Sequence, residues 1–193
     1  LLLSSMKSLI SVSPKIKLLI VGDGPDLEDY QKYVSKNGIA KNVIFTGKVP
    51  WENIVSYYLI SDVFATASQT ETQGLTVIEA MAASLPIVCI NDESFRDTFI
   101  NDLNGFVFNN RREYKRDILK LYKDKNLLKR LKKQARIAAE SHSSKYFAEQ
   151  ILDVYKVAIK NKPKHKIPII EKVHKIINTN EGDNNEETNS TKS

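Results

Sequence analysis

Glu71 and Glu79 are separated by seven residues, Thr72-Gln73-Gly74-Leu75-Thr76-Val77-Ile78, and bracket a passage from polar loop into helix. Upstream, Asp62-Val63-Phe64-Ala65-Thr66-Ala67 reads as a short, mostly apolar strand, and downstream Pro86-Ile87-Val88-Cys89-Ile90 reads as another. The unit is therefore strand–loop–helix–strand. A helix start presents N–H groups without intrahelical acceptors and the positive end of the helix dipole, which suits a phosphate. An ionised carboxylate only accepts hydrogen bonds, and it can take two from one diol. One phosphate receptor flanked by two diol receptors fits a nucleotide sugar. Both glutamates also have structural readings. Thr76-Val77-Ile78-Glu79 matches a capping box, in which Glu79 would turn back to a backbone N–H, and Glu71 reads equally as a solvated loop charge.

Other chemistry-bearing residues give less. Gly22-Asp23-Gly24-Pro25 follows an apolar run as a dinucleotide fingerprint would, but Leu27 stands where its third glycine belongs. The remaining reading is a tight strand-to-helix turn at the carboxyl end of a strand, where ligands of open α/β sheets lie. His142, His165 and His174 have no second ligand at metal spacing, and Cys89 is the only cysteine, so neither a metal site nor an internal disulfide is expected. A lone buried cysteine reads most simply as belonging to a reducing cytoplasm. There is no nucleophile elbow and no P-loop.

The elements that must position the two glutamates recur along the chain. Leu9 and Ile10 end a first helical segment, closed by Pro14. Lys15–Val21, Asn42–Gly47 and Phe106–Phe108 read as further strands, the first of a kind buried on both faces of a parallel sheet. Helical patterns follow at Leu27, Tyr30, Tyr33 and Val34, with Pro25 suited to the first turn, and at Ile54, Tyr57, Tyr58 and Ile60. Ser94–Ile100 is also expected to be helical. Connections of this length are crossovers, so the expected fold is α/β, a doubly wound parallel sheet with C-terminal helices. From Glu113 to about Lys160 the pattern is helical, ending in an apolar set of Phe147, Ile151, Val154, Tyr155 and Ala158 expected to help cap the sheet.

Composition, 41% hydrophobic and 27% charged, suits a soluble globular chain, and no apolar run is long enough to span a bilayer. The formal charge of +6 is unevenly spread. Arg111–Arg136 holds twelve Lys/Arg against Glu113, Asp117 and Asp124, a net of +9. Such a run is either a solvated helix face or a surface for an anionic partner, a membrane or a nucleic acid. Residues 1–162 form the expected domain. Residues 163–193 form a basic-to-acidic tail with the composition of a disordered segment. The start Leu1-Leu2-Leu3, without an initiator Met, reads as the middle of a helix with a preceding part expected.

The two glutamates, Ala80-Met81-Ala82 and Leu85-Pro86 together resemble the donor-binding motif of family-4 retaining glycosyltransferases of the GT-B fold. The resemblance extends to Gly22-Asp23-Gly24-Pro25, Phe45-Thr46-Gly47 and Asn104-Gly105-Phe106-Val107-Phe108, about residues 1–160. The spelling Thr70-Glu71-Thr72-Gln73-Gly74-Leu75-Thr76 is similar to bacterial 1,2-diacylglycerol 3-glucosyltransferases. This resemblance implies that Glu71 is catalytic, holding hydroxyls of the donor sugar, and that Glu79 holds the ribose of UDP. Backbone N–H groups at Gln73, Gly74 and Leu75, with Thr72 beside them, would meet sugar or diphosphate. Gly22 and Gly24 would border the donor, and Lys48 and Val49 the uracil. Ser84 departs from the pattern, because relatives carry glycine there.

The implied function is the C-terminal, donor-binding half of a glycosyltransferase that moves a hexose from a UDP-sugar, without cofactor or metal. The implied acceptor is diacylglycerol, held by an N-terminal domain outside this chain, at the cytoplasmic face of the membrane. A polysaccharide or small-molecule acceptor is the first alternative. A non-catalytic basic module on an anionic membrane or nucleic acid is the second, although the resemblance leads us to expect no nucleic-acid partner. This half alone is expected to be inactive.

Overall fold

In a computed structural model, five short runs of branched and aromatic residues form strands: β1 Leu18–Ile20, β2 Val43–Phe45, β3 Phe64–Thr66, β4 Ile87–Ile90 and β5 Gly105–Phe108. Every pairing between them is parallel. β1 pairs with β2, and β3-β4-β5 forms a second sheet, with Phe64 opposite Ile87 and Ile87 opposite Gly105. Parallel neighbours cannot be joined by hairpins; α2 (Leu27–Lys36) crosses from β1 to β2 and α4 (Leu75–Ala82) from β3 to β4, while α3 (Trp51–Leu59) links the two sheets. The remaining helices are α1 (Leu2–Ile10), α5 (Arg111–Lys123), α6 (Lys125–Glu140) and α7 (Ser144–Lys160). The structure describes residues 1–69, 74–95 and 100–161.

Side chains of β4 alternate between two cores, as the two-residue period of a strand requires. Val88 joins Met6 and Leu9 of α1, Val34 of α2, and Tyr114 and Leu121 of α5. Ile87 and Cys89 join Val77, Ala80 and Met81 of α4, with Tyr58 of α3 packed against them. In β5, Phe106 and Phe108 face the first core and Val107 the second. Helices thus cover both faces, and the fold is the doubly wound α/β type expected. α6 serves both cores, through Leu128 and Leu131 in its first half and Ala135 and Ala139 in its second. Both cores lie within Leu1–Phe147, the first of two compact units; the second is Ala148–Ser193.

Two backbone positions are decided by sterics. Gly105 lies so close to β4 that a Cβ there would overlap the carbonyl oxygen of Ile87. Ser84 has φ +64°. It closes α4 as a Schellman motif, in which its N–H donates to the Met81 carbonyl (2.8 Å) and the Leu85 N–H to the Ala80 carbonyl (2.9 Å). That geometry accounts for the expectation of glycine at this place.

Several local expectations are corrected. The N-cap of α2 is Asp26, so Pro25 precedes the helix instead of lying in its first turn. β1 is half-buried along its length rather than buried on both faces. Ile60 is exposed, because α3 ends at Leu59. Of Ser94–Ile100, only a 3-10 turn over Glu93–Phe95 is described, and residues 96–99 lie outside the described set. Phe147, Ile151, Val154 and Tyr155 are exposed instead of buried. Helical spacing shows that α7 has an apolar face but not what covers it. The tail from residue 162 lies outside the described residues.

The basic segment occupies α5 and α6. Asn110 caps α5, its Oδ1 accepting from the N–H groups of Arg112 and Glu113, and Asp124 caps α6 through the Leu127 N–H. Asp117 is buried and accepts two bonds from the exposed Arg116 guanidinium, at 2.8 and 3.1 Å. Most of the other cations are exposed.

Candidate functional site

The loops at the carboxyl ends of β1 and β2 are joined to each other. Gly22 donates its N–H to the Gly47 carbonyl at 3.1 Å, in an antiparallel bridge that is isolated from the sheet. Thr46 Oγ1 lies 3.4 Å from the same N–H and donates to the Gly47 carbonyl at 2.9 Å. Gly22 and Gly47 have φ of +127° and +65°, conformations that L side chains rarely adopt, so glycine lets both loops turn at the junction. Asp23 Oδ1 accepts from the Gly24 N–H at 2.8 Å and holds the first loop. Lys48, exposed, and Val49, half-buried, follow directly. Gly22, Gly24, Lys48 and Val49 are thus brought together at one end of the β1–β2 sheet.

The third strand supplies the other half. Beyond β3, α4 begins at Leu75 with Gly74 as its N-cap, buried and left-handed at φ +59°. Glycine has no side chain to cap the first turn, so the polar N–H end of α4 carries no side-chain cap. The spacing along α4 turns Val77, Ala80 and Met81 into the core and leaves Leu75 and Glu79 outward.

Glu79 does not close a capping box. With Gly74 as N-cap, it lies in the second turn, too far along to reach the N-cap N–H. Its Oε2 instead accepts a bond from the Tyr58 hydroxyl of α3 at 3.0 Å. Among the described residues no donor reaches Oε1. Burial, and then the Glu79 carboxylate itself, holds the Tyr58 phenol protonated well above its usual range. The Tyr58 ring is fixed against Phe64 of β3, with centroids 6.1 Å apart. A carboxylate with one oxygen anchored and the other open can accept from a ligand hydroxyl without losing its orientation.

Glu71, Thr72 and Gln73 lie outside the described residues. Tyr58 was read from sequence only as a packing residue. The signal for more was its type, since a tyrosine against a core needs a partner for its hydroxyl. Among the described residues no cluster of His, Cys, Asp and Glu could hold a metal ion.

The profile of the group 1 glycosyl transferases matches residues 1–138. The chain belongs to this family. A curated relative, alpha-monoglucosyldiacylglycerol synthase of Acholeplasma laidlawii, is 36% identical over 143 residues, covering 74% of this chain and 36% of that protein. The enzyme of the same name from Streptococcus pneumoniae is 33% identical over 94 residues, covering 49% of this chain and 21% of the relative. The chain therefore spans about a third or less of these relatives. The pneumococcal O-GlcNAc transferase GtfA, solved with UDP and GlcNAc, superposes with a TM-score of 0.71 at 18% identity, covering 82% of this chain and 32% of that one. That likeness shows the fold, the α/β architecture of GT-B glycosyltransferases.

Proposed function

We propose that this chain is the donor-binding half of a retaining glycosyltransferase that transfers glucose from UDP-glucose to diacylglycerol at the cytoplasmic face of a membrane. The observation that carries the donor reading is Glu79, anchored by Tyr58 through one oxygen, with no donor among the described residues on the other. A ribose diol presents two hydroxyl donors to such a group. The glycine-permitted junction of the Gly22 and Gly47 loops leaves backbone open to a close ligand approach, with Lys48 and Val49 beside the base. The N-terminal end of α4, at Gly74 and Leu75, faces the diphosphate with the positive end of the helix dipole. By the resemblance alone, Glu71 is assigned to the transferred sugar, and Thr72 and Gln73 to the donor. The glucosyl–diacylglycerol choice rests on the likeness to the alpha-monoglucosyldiacylglycerol synthases, and the acceptor is bound by a domain preceding this one.

Two measurements test the reading. Calorimetric titration of this chain with UDP should show weak binding that Glu79→Gln reduces by about tenfold, the loss of a charge-assisted bond. The full-length protein, given UDP-glucose or GDP-mannose with diacylglycerol in mixed micelles, should transfer only from UDP-glucose and give the α-glucoside. No transfer to any lipid, with transfer to a soluble glycan, would replace the acceptor, and unchanged UDP binding in Glu79→Gln would remove Glu79 from the site.

A further inference from the structure

The chain holds two Asn-Gly pairs, Asn37-Gly38 and Asn104-Gly105. An asparagine before glycine deamidates readily, because no Cβ hinders the glycine nitrogen from reaching the side-chain amide. That nitrogen attacks the asparagine Cγ, its proton leaves with the side-chain NH2 as ammonia, and a cyclic imide forms. Water opens the imide at either carbonyl, to aspartate or to isoaspartate, and nothing is oxidised or reduced.

The fold treats the two pairs differently. Asn37 is the C-cap of α2, half-buried, with Gly38 exposed beside it, and its Nδ2 donates to the Tyr33 carbonyl at 2.8 Å. Asn104 is fully buried. Its Oδ1 accepts from the Ile100 N–H at 2.9 Å, and its Nδ2 donates to the Met81 sulfur of α4 at 3.5 Å. Its backbone carbonyl accepts from the Ile87 N–H at 3.1 Å, and the Gly105 carbonyl accepts from the Asp102 N–H at 2.9 Å. Phe106 and Phe108, next along β5, are core residues. The Asn104 amide can thus turn toward the Gly105 nitrogen, and meet water, only when β5 leaves β4.

We infer that Asn104-Gly105 is a deamidation site shut by the native fold, whose reaction marks a chain that has unfolded and bars its return. An aspartate at this place keeps the shape of the amide but buries a charge. Among the described residues one N–H, that of Ile100, donates to it, and the second oxygen faces the thioether of Met81. Burying a charge so poorly partnered is costly. Isoaspartate adds a methylene to the main chain immediately before Gly105, which pairs with Ile87, so it displaces the ladder itself. The inference is independent of which donor and acceptor the protein takes.

The full-length protein is held at mildly alkaline pH in buffer and in concentrated urea, and both pairs are followed by peptide mass mapping. In urea the two sites should convert at similar rates. In buffer Asn104 should slow by on the order of a thousandfold or more, the fraction of chains unfolded, and Asn37 far less. Gly105→Ala, measured in urea where folding does not matter, should nearly stop conversion at Asn104 and leave Asn37 unchanged. After dilution from urea, the refolded fraction should carry Asn37 converted but Asn104 intact. Asn104→Asp should be unfolded or less stable than the parent at neutral pH. A carboxyl whose proton is retained by burial is best tolerated at low pH, so the variant should gain on the parent as pH falls toward about 4. Conversion of Asn104 in buffer nearly as fast as in urea would overturn the inference. So would chains converted at Asn104 in the refolded fraction, or an Asn104→Asp variant that unfolds at the parent's urea midpoint.

Discussion

Replacing Ser84 by glycine should stabilise the domain. Ser84 is the left-handed residue that closes α4, at φ +64°, and its N–H and that of Leu85 satisfy the last carbonyls of the helix. A side chain in that conformation costs about 1–2 kcal/mol from the contact of Cβ with the following carbonyl. Glycine removes that contact, but its freer unfolded chain returns about 0.4–1 kcal/mol. The net gain is about 1 kcal/mol, which in a domain of this size raises Tm by about 2–4 °C. Ser84→Ala keeps the Cβ and loses only the hydroxyl, which makes no hydrogen bond among the described residues, so it should be near neutral. Ser84→Asn should fall between, because asparagine tolerates the left-handed region better than most residues. Urea and thermal unfolding of the three variants decide the matter. If glycine is no more stable than alanine, the strain assigned to Ser84 is absent and the reasoning fails.

Gly105→Ala should cost about 3 kcal/mol or prevent folding, since the new methyl would overlap the Ile87 carbonyl at the first pair of the β4–β5 ladder; a variant that melts like the parent would refute that close approach. Tyr58→Phe should weaken UDP binding by about fivefold, the worth of one neutral-to-charged hydrogen bond, and a double-mutant cycle with Glu79→Gln should be non-additive. Additive losses would mean that Tyr58 does not act through Glu79. Burial pushes the Cys89 thiol up to about 12, from 9.0, and the Tyr114 phenol up to about 12, from 10.0. The unfolded chain therefore gives up these protons first. Stability should be unaffected by them below about pH 9 and fall as pH rises toward 12, by about 1.4 kcal/mol per pH unit for each group titrating. Cys89 should resist alkylation in the folded protein and react on unfolding; rapid modification under native conditions would contradict its burial.

The strands and crossovers were legible because each rests on a pattern that burial imposes. The apolar run Ile87–Ile90 is read as a buried parallel strand because it lies between two cores, and the structure finds Val88 in one and Ile87 and Cys89 in the other. The three-residue spacing of Leu128 and Leu131 announced a helix, though not that α6 would divide its residues between both cores. What periodicity could not give was the identity of tertiary partners. The apolar set in α7 has the same spacing as those in α5 and α6 yet is exposed. The two glycine-bearing loops were found separately, and only the fold shows Gly22 hydrogen-bonded to Gly47.

The sharper lesson comes from Glu79, for which sequence offered two roles that could not be separated. A capping box is defined relative to the N-cap, and the local pattern Thr76-Val77-Ile78-Glu79 places the cap at Thr76. The helix in fact begins earlier, because Gly74 can take the left-handed turn that ends the loop and Thr76 is already helical. Moving the start by two residues moves Glu79 out of capping range and onto the outward face of the second turn. There its donor among the described residues belongs to another helix, Tyr58 of α3, 21 positions earlier in the sequence and in a segment whose own pattern suggested only packing. One backbone property of one glycine thus separates a carboxylate that serves its own helix from one that is held by a neighbour and left open to a ligand. Gly74→Ala tests this directly. It should shift the start of α4, weaken the Tyr58–Glu79 bond and reduce UDP binding more than it reduces stability, and a variant that loses stability alone would return Glu79 to a purely structural role.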